Sequence, residues 1–310
     1  DKGKIYFNIT SRDRKKMDVC RADINTGEVE VLIEERMNTY IETRPLYLIK
    51  NETEMIHWSE KDGWAHFYRH DINGNLLNRI TSGPFHSDNI KYYDQKSNFL
   101  FFSAHGVNKE IDPYYEHTYK ISLNGGVPKL LNKGDFNTMT YPSDNHKFFV
   151  NNFSRVNTTP KSNLINSDGS VIMNLETADL SALFESGYKF PETFKAKADD
   201  GITDLYGVIY KPFDFDENKK YPLLEYVYPG PQTESVNKSF SVRMDRLDRM
   251  AQLGFIVITL GNRGGHPDRS KWYHNYGYGN LRDYGLADKK YVAQQLENRH
   301  DSVSYTHLRA

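Results

Sequence analysis

Tyr228 is the residue of this sequence whose setting most suggests chemistry. It ends the run 221–228 and is followed by the Pro/Gly loop 229–231. A run with so little alternation predicts a strand buried on both faces, and α/β sheets place reactive groups at the carboxyl ends of such strands. A phenol there can donate a hydrogen bond to a substrate. The alternative is that Tyr228 only covers the edge of the sheet, as Tyr221 or Tyr226 would.

The sequence lacks the motifs of other common catalytic classes. No serine stands in Gly-x-Ser-x-Gly, the turn that carries the nucleophile of α/β hydrolases. No His-Glu-x-x-His zinc motif occurs, and residues 277–282 fail the dinucleotide pattern at its last glycine. The single Cys20 excludes an internal disulfide and a multi-cysteine zinc site. We therefore expect no cofactor and no metal.

The elements that must position Tyr228 form a series of strands and helices. Hydrophobic spacing and turn residues predict a hairpin, a strand, a helix, a strand and a helix at 194–210, 221–228, 240–253, 255–260 and 281–296. A strand–helix–strand–helix order predicts a parallel sheet with helices on its faces. The last third of the chain is therefore predicted to be the start of an α/β domain.

The preceding part of the chain is a repeat. Short aromatic or apolar runs are each followed by a turn that ends in glycine, at positions 27, 74, 125 and 169, which are 47, 51 and 44 residues apart. Asn-Gly and Asp-Gly turns join hairpin strands, and a period of this length is typical of a β-propeller blade. Four units predict about half a propeller; the competing interpretation is a β-sandwich with irregularly spaced hairpins.

Charge and hydropathy exclude two classes of partner. The 310 residues contain 40 Lys and Arg against 41 Asp and Glu, so the basic excess needed for nucleic acid is absent. The longest apolar run, 255–260, is far shorter than the roughly 20 residues that cross a bilayer. Position 1 is Asp with no targeting signal after it. If the chain is a piece of a longer protein, as we expect, this says nothing about its location.

Five segments together resemble the dipeptidyl peptidase IV group of the prolyl oligopeptidase family. They are 58–68 and 112–119 in the repeats, 190–207 between the two parts, and the loops 227–232 and 262–265. The resemblance implies a partial β-propeller of about four blades followed by the N-terminal part of an α/β-hydrolase domain. Its implied boundaries are 1–187 for the propeller half and 188–301 for the incomplete peptidase domain. Residues 302–310 fit no family pattern and are expected to be a non-native tail outside the fold.

The resemblance also implies roles for individual residues. In this family a tyrosine of the Val-Tyr-x-Gly-Pro loop donates a hydrogen bond in the oxyanion hole, and by motif that residue is Tyr228. Arg263 is expected to serve structure rather than substrate, with Asp288 anchoring its loop. The catalytic Ser, Asp and His are absent from this chain. The tempting pair Glu34-Glu35 is interpreted as a solvated strand end, with the family's amino-terminus-binding pair expected before Asp1.

What the resemblance implies about function concerns the parent protein. It is expected to be a serine-type dipeptidyl peptidase that removes X-Pro or X-Ala dipeptides from peptides through an acyl-enzyme, in a homodimer that is periplasmic or secreted. The chain itself, lacking the nucleophile, is predicted to be inactive. The alternatives are prolyl oligopeptidase or acylaminoacyl-peptidase specificity, or a non-enzymatic propeller binding module with a degenerate hydrolase domain.

Overall fold

The computed structural model describes residues 3–228, 230–241 and 246–304, and the first part of the chain forms four successive antiparallel sheets. The first sheet contains β1 (Lys4–Thr10), β2 (Lys16–Asp23) and β3 (Val29–Arg36). The second contains β4 (Tyr47–Ile49), β5 (Glu54–Ser59), β6 (His66–Asp71) and β7 (Leu76–Arg79). The third contains β8 (His86–Asp94), β9 (Phe99–His105), β10 (Glu116–Ser122) and β11 (Lys129–Leu130). The fourth contains β12 (Asn137–Pro142), β13 (Phe148–Ser154), β14 (Lys161–Asn166) and β15 (Val171–Thr177).

The glycines of the repeat occupy equivalent places in these sheets, because each lies in the turn before the last strand. Gly74 has a φ of 88°, which an L side chain rarely adopts. An added Cβ there would also overlap the carbonyl oxygen of Leu32, and one at Gly169 would approach the carbonyl oxygen of Leu131 at 2.5 Å. The turn of one blade thus packs on the outer strand of the blade before it. The predicted partial β-propeller of about four blades is confirmed, and the glycine period reflects both hairpin geometry and blade packing.

Apolar side chains fill the spaces between neighbouring sheets. Phe67 of the second sheet and Phe102 of the third are fully buried, with ring centroids 5.6 Å apart in an edge-to-face arrangement. Tyr92 and Phe149 continue this packing between the third and fourth sheets. The outermost sheets instead carry large apolar side chains on exposed faces: Ile5, Ile9, Val29 and Val31 on the first, and Met139, Tyr141, Ile172 and Met173 on the fourth.

The second part of the chain is a five-stranded mixed sheet with helices. Its strands are β16 (Glu192–Lys197), β17 (Asp204–Tyr210), β18 (Tyr221–Tyr226), β19 (Ile256–Leu260) and β20 (Val303–Ser304), in the order β16-β17-β19-β18-β20. The hairpin β16–β17 is antiparallel, and β17 also pairs antiparallel with β19. The pairs β18–β19 and β18–β20 are parallel. The predicted hairpin is therefore antiparallel and the predicted strand–helix–strand unit is parallel, while the antiparallel pairing of β17 with β19 makes the whole sheet mixed.

The helices are shorter than their sequence patterns predict. They are α1 (Ser181–Glu185), α2 (Arg246–Ala251), α3 (Lys271–His274) and α4 (Leu286–Arg299), with a 3₁₀ turn at Asn275–Gly277. The helix expected to begin at Leu281 begins at Leu286, because Gly285 and the preceding turn pack against Asn262. Of the helix expected over 240–253, residues 242–245 lie outside the described residues.

The sheet extends beyond the expected end of the native fold. A tail outside the fold was predicted from residue 302, yet Val303 and Ser304 pair with Tyr221 and Pro222. The apolar side chain of Val303 is buried in the core of the sheet, which accounts for its position. Residues 305–310 lie outside the described residues, and the boundary at 301 stays a prediction. Within the described part of the chain, no helix is long and apolar enough to cross a membrane.

Candidate functional site

Tyr228 lies where two parallel strands end at the same edge of the sheet. Strands β18 and β19 are in register from Leu223 with Ile256 to Tyr226 with Thr259, and Tyr228 follows β18 by two residues. Its side chain is 39% exposed, and it lines a narrow cleft together with Asn262, Tyr284 and Lys289. The predicted candidate is thus an accessible phenol at the carboxyl end of a buried parallel strand.

A buried ion pair lies beneath this edge. The Lys289 ammonium is 3.0 Å from Oε1 of Glu225 and donates to the carbonyl oxygen of Leu260 at 3.1 Å. Burial raises the pKa of Glu225, while the charge of Lys289 opposes the rise. The pair ties α4 to the ends of β18 and β19.

The loop after β19 is held by Arg263, as expected from the resemblance. The Arg263 guanidinium donates from Nη2 to Oδ1 of fully buried Asp288 at 2.6 Å and from Nη1 to Oδ2 of Asp200 at 3.0 Å. Its backbone N–H donates to Oδ2 of Asp288 at 3.0 Å, and the Asp199 N–H donates to Oδ1 of Asp288 at 3.1 Å. The ion pair expected for Arg263 and the contact of Asp288 with its loop are present, and the assignment of Arg263 to structure rather than substrate stays a prediction.

Glu234 fastens the loop that follows Tyr228. Its carboxylate is buried, and Oε1 accepts hydrogen bonds from the hydroxyls of Tyr114 at 2.7 Å and Tyr273 at 2.8 Å. Oε2 has no hydrogen-bond partner among the described residues. A Cβ at Gly261 would overlap Oε2, so glycine is needed there for the carboxylate to fit. One side chain thus joins the Tyr228 loop to the third sheet and to α3.

The first blade motif, 58–68, is a docking point for α3. Glu60 accepts a hydrogen bond from the Lys271 ammonium at 2.6 Å, and both side chains are buried. The Lys271 N–H donates to the carbonyl oxygen of Gly63 at 2.9 Å, and a Cβ on Gly63 would overlap the Trp272 ring. Nearby, the Tyr40 hydroxyl lies 2.7 Å from Nδ1 of His274. Burial lowers the pKa of His274 to about 4, so its ring is neutral near pH 7.

The second blade motif, 112–119, meets the loop after Tyr228. Besides the bond from Tyr114 to Glu234, Asp112 accepts from the Lys238 ammonium at 2.6 Å. The same ammonium lies 4.6 Å from the centre of the Tyr114 ring, a cation–π distance. Both blade motifs that carry the family resemblance are therefore contact points for the α/β part. We call the contacts at Glu60, Tyr114, Glu234 and Lys271 the joint.

A cavity of about 430 Å³ lies beside the joint. Its wall includes charged and aromatic side chains from the first three sheets and their connections, residues of the loops after β18 and β19, and the end of α3: Arg14, Tyr40, Glu42, Arg44, Trp58, Glu60, His86, Pro231, Gln232, Pro267 and His274. Pro231 in its wall follows Tyr228 by three residues in the sequence. A space of this size, with polar groups facing into it, is typical of a small-molecule or peptide site.

One sequence interpretation at this side of the molecule is wrong. Glu34-Glu35 was taken as a solvated strand end, but both residues lie within β3 and only Glu34 is exposed. Glu35 is buried, with Oε1 3.1 Å from Nε2 of His57. The alternation of the strand explains the difference, because successive side chains point to opposite faces. Sequence reasoning also missed Glu234 and Lys271, since neither stands in a motif with a chemical meaning of its own.

Comparison with known proteins places this arrangement in a family. The model for the "Dipeptidyl peptidase IV (DPP IV) N-terminal region" matches residues 1–160. Human dipeptidyl peptidase 8 is 35% identical over 117 residues, which are 37% of this chain and 13% of the human protein. A Talaromyces marneffei protein assigned as dipeptidyl-aminopeptidase B is 28% identical over 251 residues, 74% of this chain and 27% of its own length.

Solved structures show the same fold. A Bacteroides ovatus protein described as a dipeptidyl aminopeptidase IV superposes with a TM-score of 0.84 at 24% identity, covering 97% of this chain and 45% of its own. Porphyromonas gingivalis dipeptidyl peptidase 4 gives a TM-score of 0.82 at 22% identity, covering 97% and 42%. The chain thus spans less than half the length of these relatives. It belongs to the dipeptidyl peptidase IV family, whose N-terminal-region model its first 160 residues match.

Proposed function

We propose that this chain is part of a serine-type dipeptidyl peptidase and supplies one hydrogen-bond donor to its oxyanion hole, Tyr228. The observation that carries the proposal is the position of this phenol. It is accessible, and it follows a parallel strand at the edge where the neighbouring parallel strand also ends. Family membership and the names of the matched relatives support the peptidase class.

In the proposed reaction, a serine hydroxyl attacks the peptide carbonyl and its proton passes to a histidine. The carbonyl oxygen becomes an oxyanion, which the Tyr228 hydroxyl stabilises by donating a hydrogen bond. Collapse of the tetrahedral intermediate breaks the peptide bond, the leaving amine takes the proton, and water later hydrolyses the acyl-enzyme. No Gly-x-Ser-x-Gly segment occurs in this sequence, so the serine would come from a protein in which this sequence continues.

The two parts of the chain have different proposed roles. We propose a propeller half over residues 1–187 and part of a peptidase domain over 188–301. The cavity of about 430 Å³ has walls from both parts and lies along the loop of Tyr228. Carboxylates in its wall, such as that of Glu42, suit the ammonium group at the free amino terminus of a peptide.

The test compares two chromogenic amides, Ala-Pro with a free amino terminus and the same dipeptide acetylated, in a protein that continues this sequence through the nucleophile. The proposal predicts release from the free amide and none from the acetylated one. Equal turnover of both would indicate oligopeptidase specificity, and preference for the acetylated amide would indicate an acylaminoacyl-peptidase. Turnover of neither, with the fold intact by circular dichroism, would favour a binding module.

The 310-residue chain gives a second, independent readout. It is predicted to release no product from Ala-Pro or Gly-Pro amides, because the nucleophile is missing. Turnover above that of a Tyr228→Phe variant of the same chain would overturn this prediction.

A further inference from the structure

Titratable side chains converge at one end of the third sheet. His105 of β9 is the direct cross-strand partner of His86 in β8 and of Glu116 in β10. Asp88 lies two residues after His86 on the same strand. Ligand atoms of Asp88, His105 and Glu116 all lie within 4.8 Å of one another. The register of three adjacent strands thus brings an imidazole and two carboxylates together.

The loop after β19 adds a further carboxylate to this group. Oδ2 of Asp268 lies 3.7 Å from Nε2 of His105, and its Oδ1 lies 3.9 Å from Nε2 of His86. Both separations are too long for a hydrogen bond. They bring two imidazole nitrogens close to one carboxylate without a hydrogen bond, at the contact between the third sheet and the α/β part.

His86 gives a second observation that points to a ligand at this cluster. Its side chain is 1% exposed, and neither ring nitrogen has a hydrogen-bond partner among the described residues. An unpaired buried polar group costs about 1–3 kcal/mol, and such a group in a native fold calls for a bound water or ion as its explanation. The Nε2 atom of His86 faces Asp268, which in turn faces His105.

The groups of this cluster already have partners in the structure, including the Asn89 amide, which donates to Oδ2 of Asp88. The His105 Nδ1 lies 3.2 Å from the carbonyl oxygen of Tyr114, which fixes Nδ1–H as a donor and directs the Nε2 lone pair to the carboxylates. Arg44 contacts Oδ1 of Asp88 at 2.9 Å, and Lys91 contacts Oε1 of Glu116 at 3.1 Å. The three carboxylates, including Asp268, outnumber these two cations by one, so a bound cation or a protonated imidazole of His105 or His266 would balance the charge.

We propose that Asp88, His105 and Glu116 bind a divalent transition-metal ion, with Asp268 and His86 beside it as further donors. A mixed imidazole and carboxylate set suits Zn²⁺ or Mn²⁺. Ligand atoms of a tetrahedral ion lie about 3.4 Å apart at usual bond lengths, so these side chains, whose ligand atoms lie within 4.8 Å of one another, close on the ion by rotation. Arg44 and His86 also line the cavity of about 430 Å³, which provides an entry path. The ion would tie the third sheet to the loop after β19.

No sequence motif announces this site, which is why the sequence predicted no metal. Positions 88, 105 and 116 belong to three strands, and Asp268 lies more than 150 residues further on. Only the strand register brings them together.

The test is a Zn²⁺ titration of the EDTA-treated 310-residue chain by calorimetry, with visible absorption of the Co²⁺ form as a second readout. We expect one ion per chain and a rise in melting temperature on the order of 5 °C at saturating Zn²⁺. His105→Gln should weaken binding more than about 100-fold, and Asp268→Asn by about 10–100-fold. The matched control is His117→Gln, a buried histidine on β10 whose Nε2 contacts the Gly134 carbonyl oxygen instead; it should bind like the wild type.

Three results would overturn the proposal. The first is the absence of stoichiometric Zn²⁺ binding, and the second is a Zn²⁺ affinity that His105→Gln leaves unchanged. The third is a melting temperature that follows protonation alone and is the same with and without Zn²⁺. Should His105→Gln fail to fold, the isosteric variants Asp88→Asn and Glu116→Gln replace it. Wild-type affinity in both of these variants would equally reject the site.

Discussion

The interior of the blades and the joint to the α/β sheet are built from different kinds of side chain. Between the second and third sheets the contacts are apolar, as between Phe67 and Phe102. At the joint they are polar or charged, as between Lys271 and Glu60 or Tyr114 and Glu234. Apolar packing depends on area and tolerates variation, whereas a buried polar contact depends on each partner. The blades thus supply stability, and the joint fixes where the Tyr228 loop lies.

The largest expected effect is in the blade interior. Phe102→Ala removes a fully buried ring from between two sheets, and we expect a loss of about 3–5 kcal/mol in the free energy of unfolding. Urea unfolding followed by circular dichroism measures it. Ile172→Ala on the half-exposed face of β15 is the control and should cost no more than about 0.5 kcal/mol. Equal losses would show that the fourth sheet is covered by packing absent from the described structure.

The next largest effect is at the joint. Lys271→Met leaves the buried Glu60 carboxylate without its cation, and we expect a loss of about 3 kcal/mol. Lys219→Met, which removes an exposed partner of Asp216, should cost less than about 1 kcal/mol. Adding Glu60→Gln to Lys271→Met should recover part of the loss. If Lys271→Met cost as little unfolding free energy as Lys219→Met, water would reach the ion pair of Lys271 with Glu60 and the joint would be solvated.

These two regions also differ in what the sequence reveals. The blades could be predicted because their signals are local: a glycine in each last turn and an aromatic run in each unit. The joint could not, because Lys271 and Glu60 are 211 residues apart and Tyr114 and Glu234 are 120 apart. Segments 58–68 and 112–119 were recognisable as family motifs, but only the structure gives their physical role as docking points. Tyr228 could be placed because its strand and loop are contiguous in the sequence.

A smaller effect tests the fit of Glu234 under the loop. Gly261→Ala places a methyl group against Oε2 of Glu234 and should cost about 1–3 kcal/mol. Glu234→Ala in the same chain should relieve the overlap, giving a coupling energy of about 1–2 kcal/mol in a double-mutant cycle. The control is Gly254→Ala, because an added Cβ there has nothing within 4 Å. Its change in the free energy of unfolding should add to that of Glu234→Ala to within about 0.5 kcal/mol. If the free-energy changes of Gly261→Ala and Glu234→Ala simply add, the close approach of Gly261 to the Glu234 carboxylate is refuted.

The smallest expected effect is a pH dependence at the same carboxylate. Burial raises the pKa of Glu234, and Lys238 opposes the rise. A carboxyl whose pKa is higher in the folded state stabilises the fold below its unfolded value of 4.5, and this contribution is lost as pH rises through the folded value. Glu234→Gln keeps the acceptor for both tyrosines but does not titrate.

The variant should therefore gain stability relative to the wild type as pH rises above 4.5. Urea midpoints at four or five pH values measure the difference, with Glu34→Gln as the control for removal of an exposed carboxylate. If the stability of the variant relative to the wild type instead falls with rising pH, the folded state holds Glu234 as a charged carboxylate at the joint.

The central claim, that the joint holds a loop whose Tyr228 stabilises an oxyanion, is tested most directly by the kinetics of Tyr228→Phe. In a protein that continues this sequence through its nucleophile, the account predicts a fall in kcat of about 10²–10³-fold with little change in KM. Tyr226→Phe, whose hydroxyl accepts from Arg246 instead, should keep the wild-type kcat. A Tyr228→Phe enzyme with unchanged kcat would contradict the account and leave this phenol as a cover for the sheet edge.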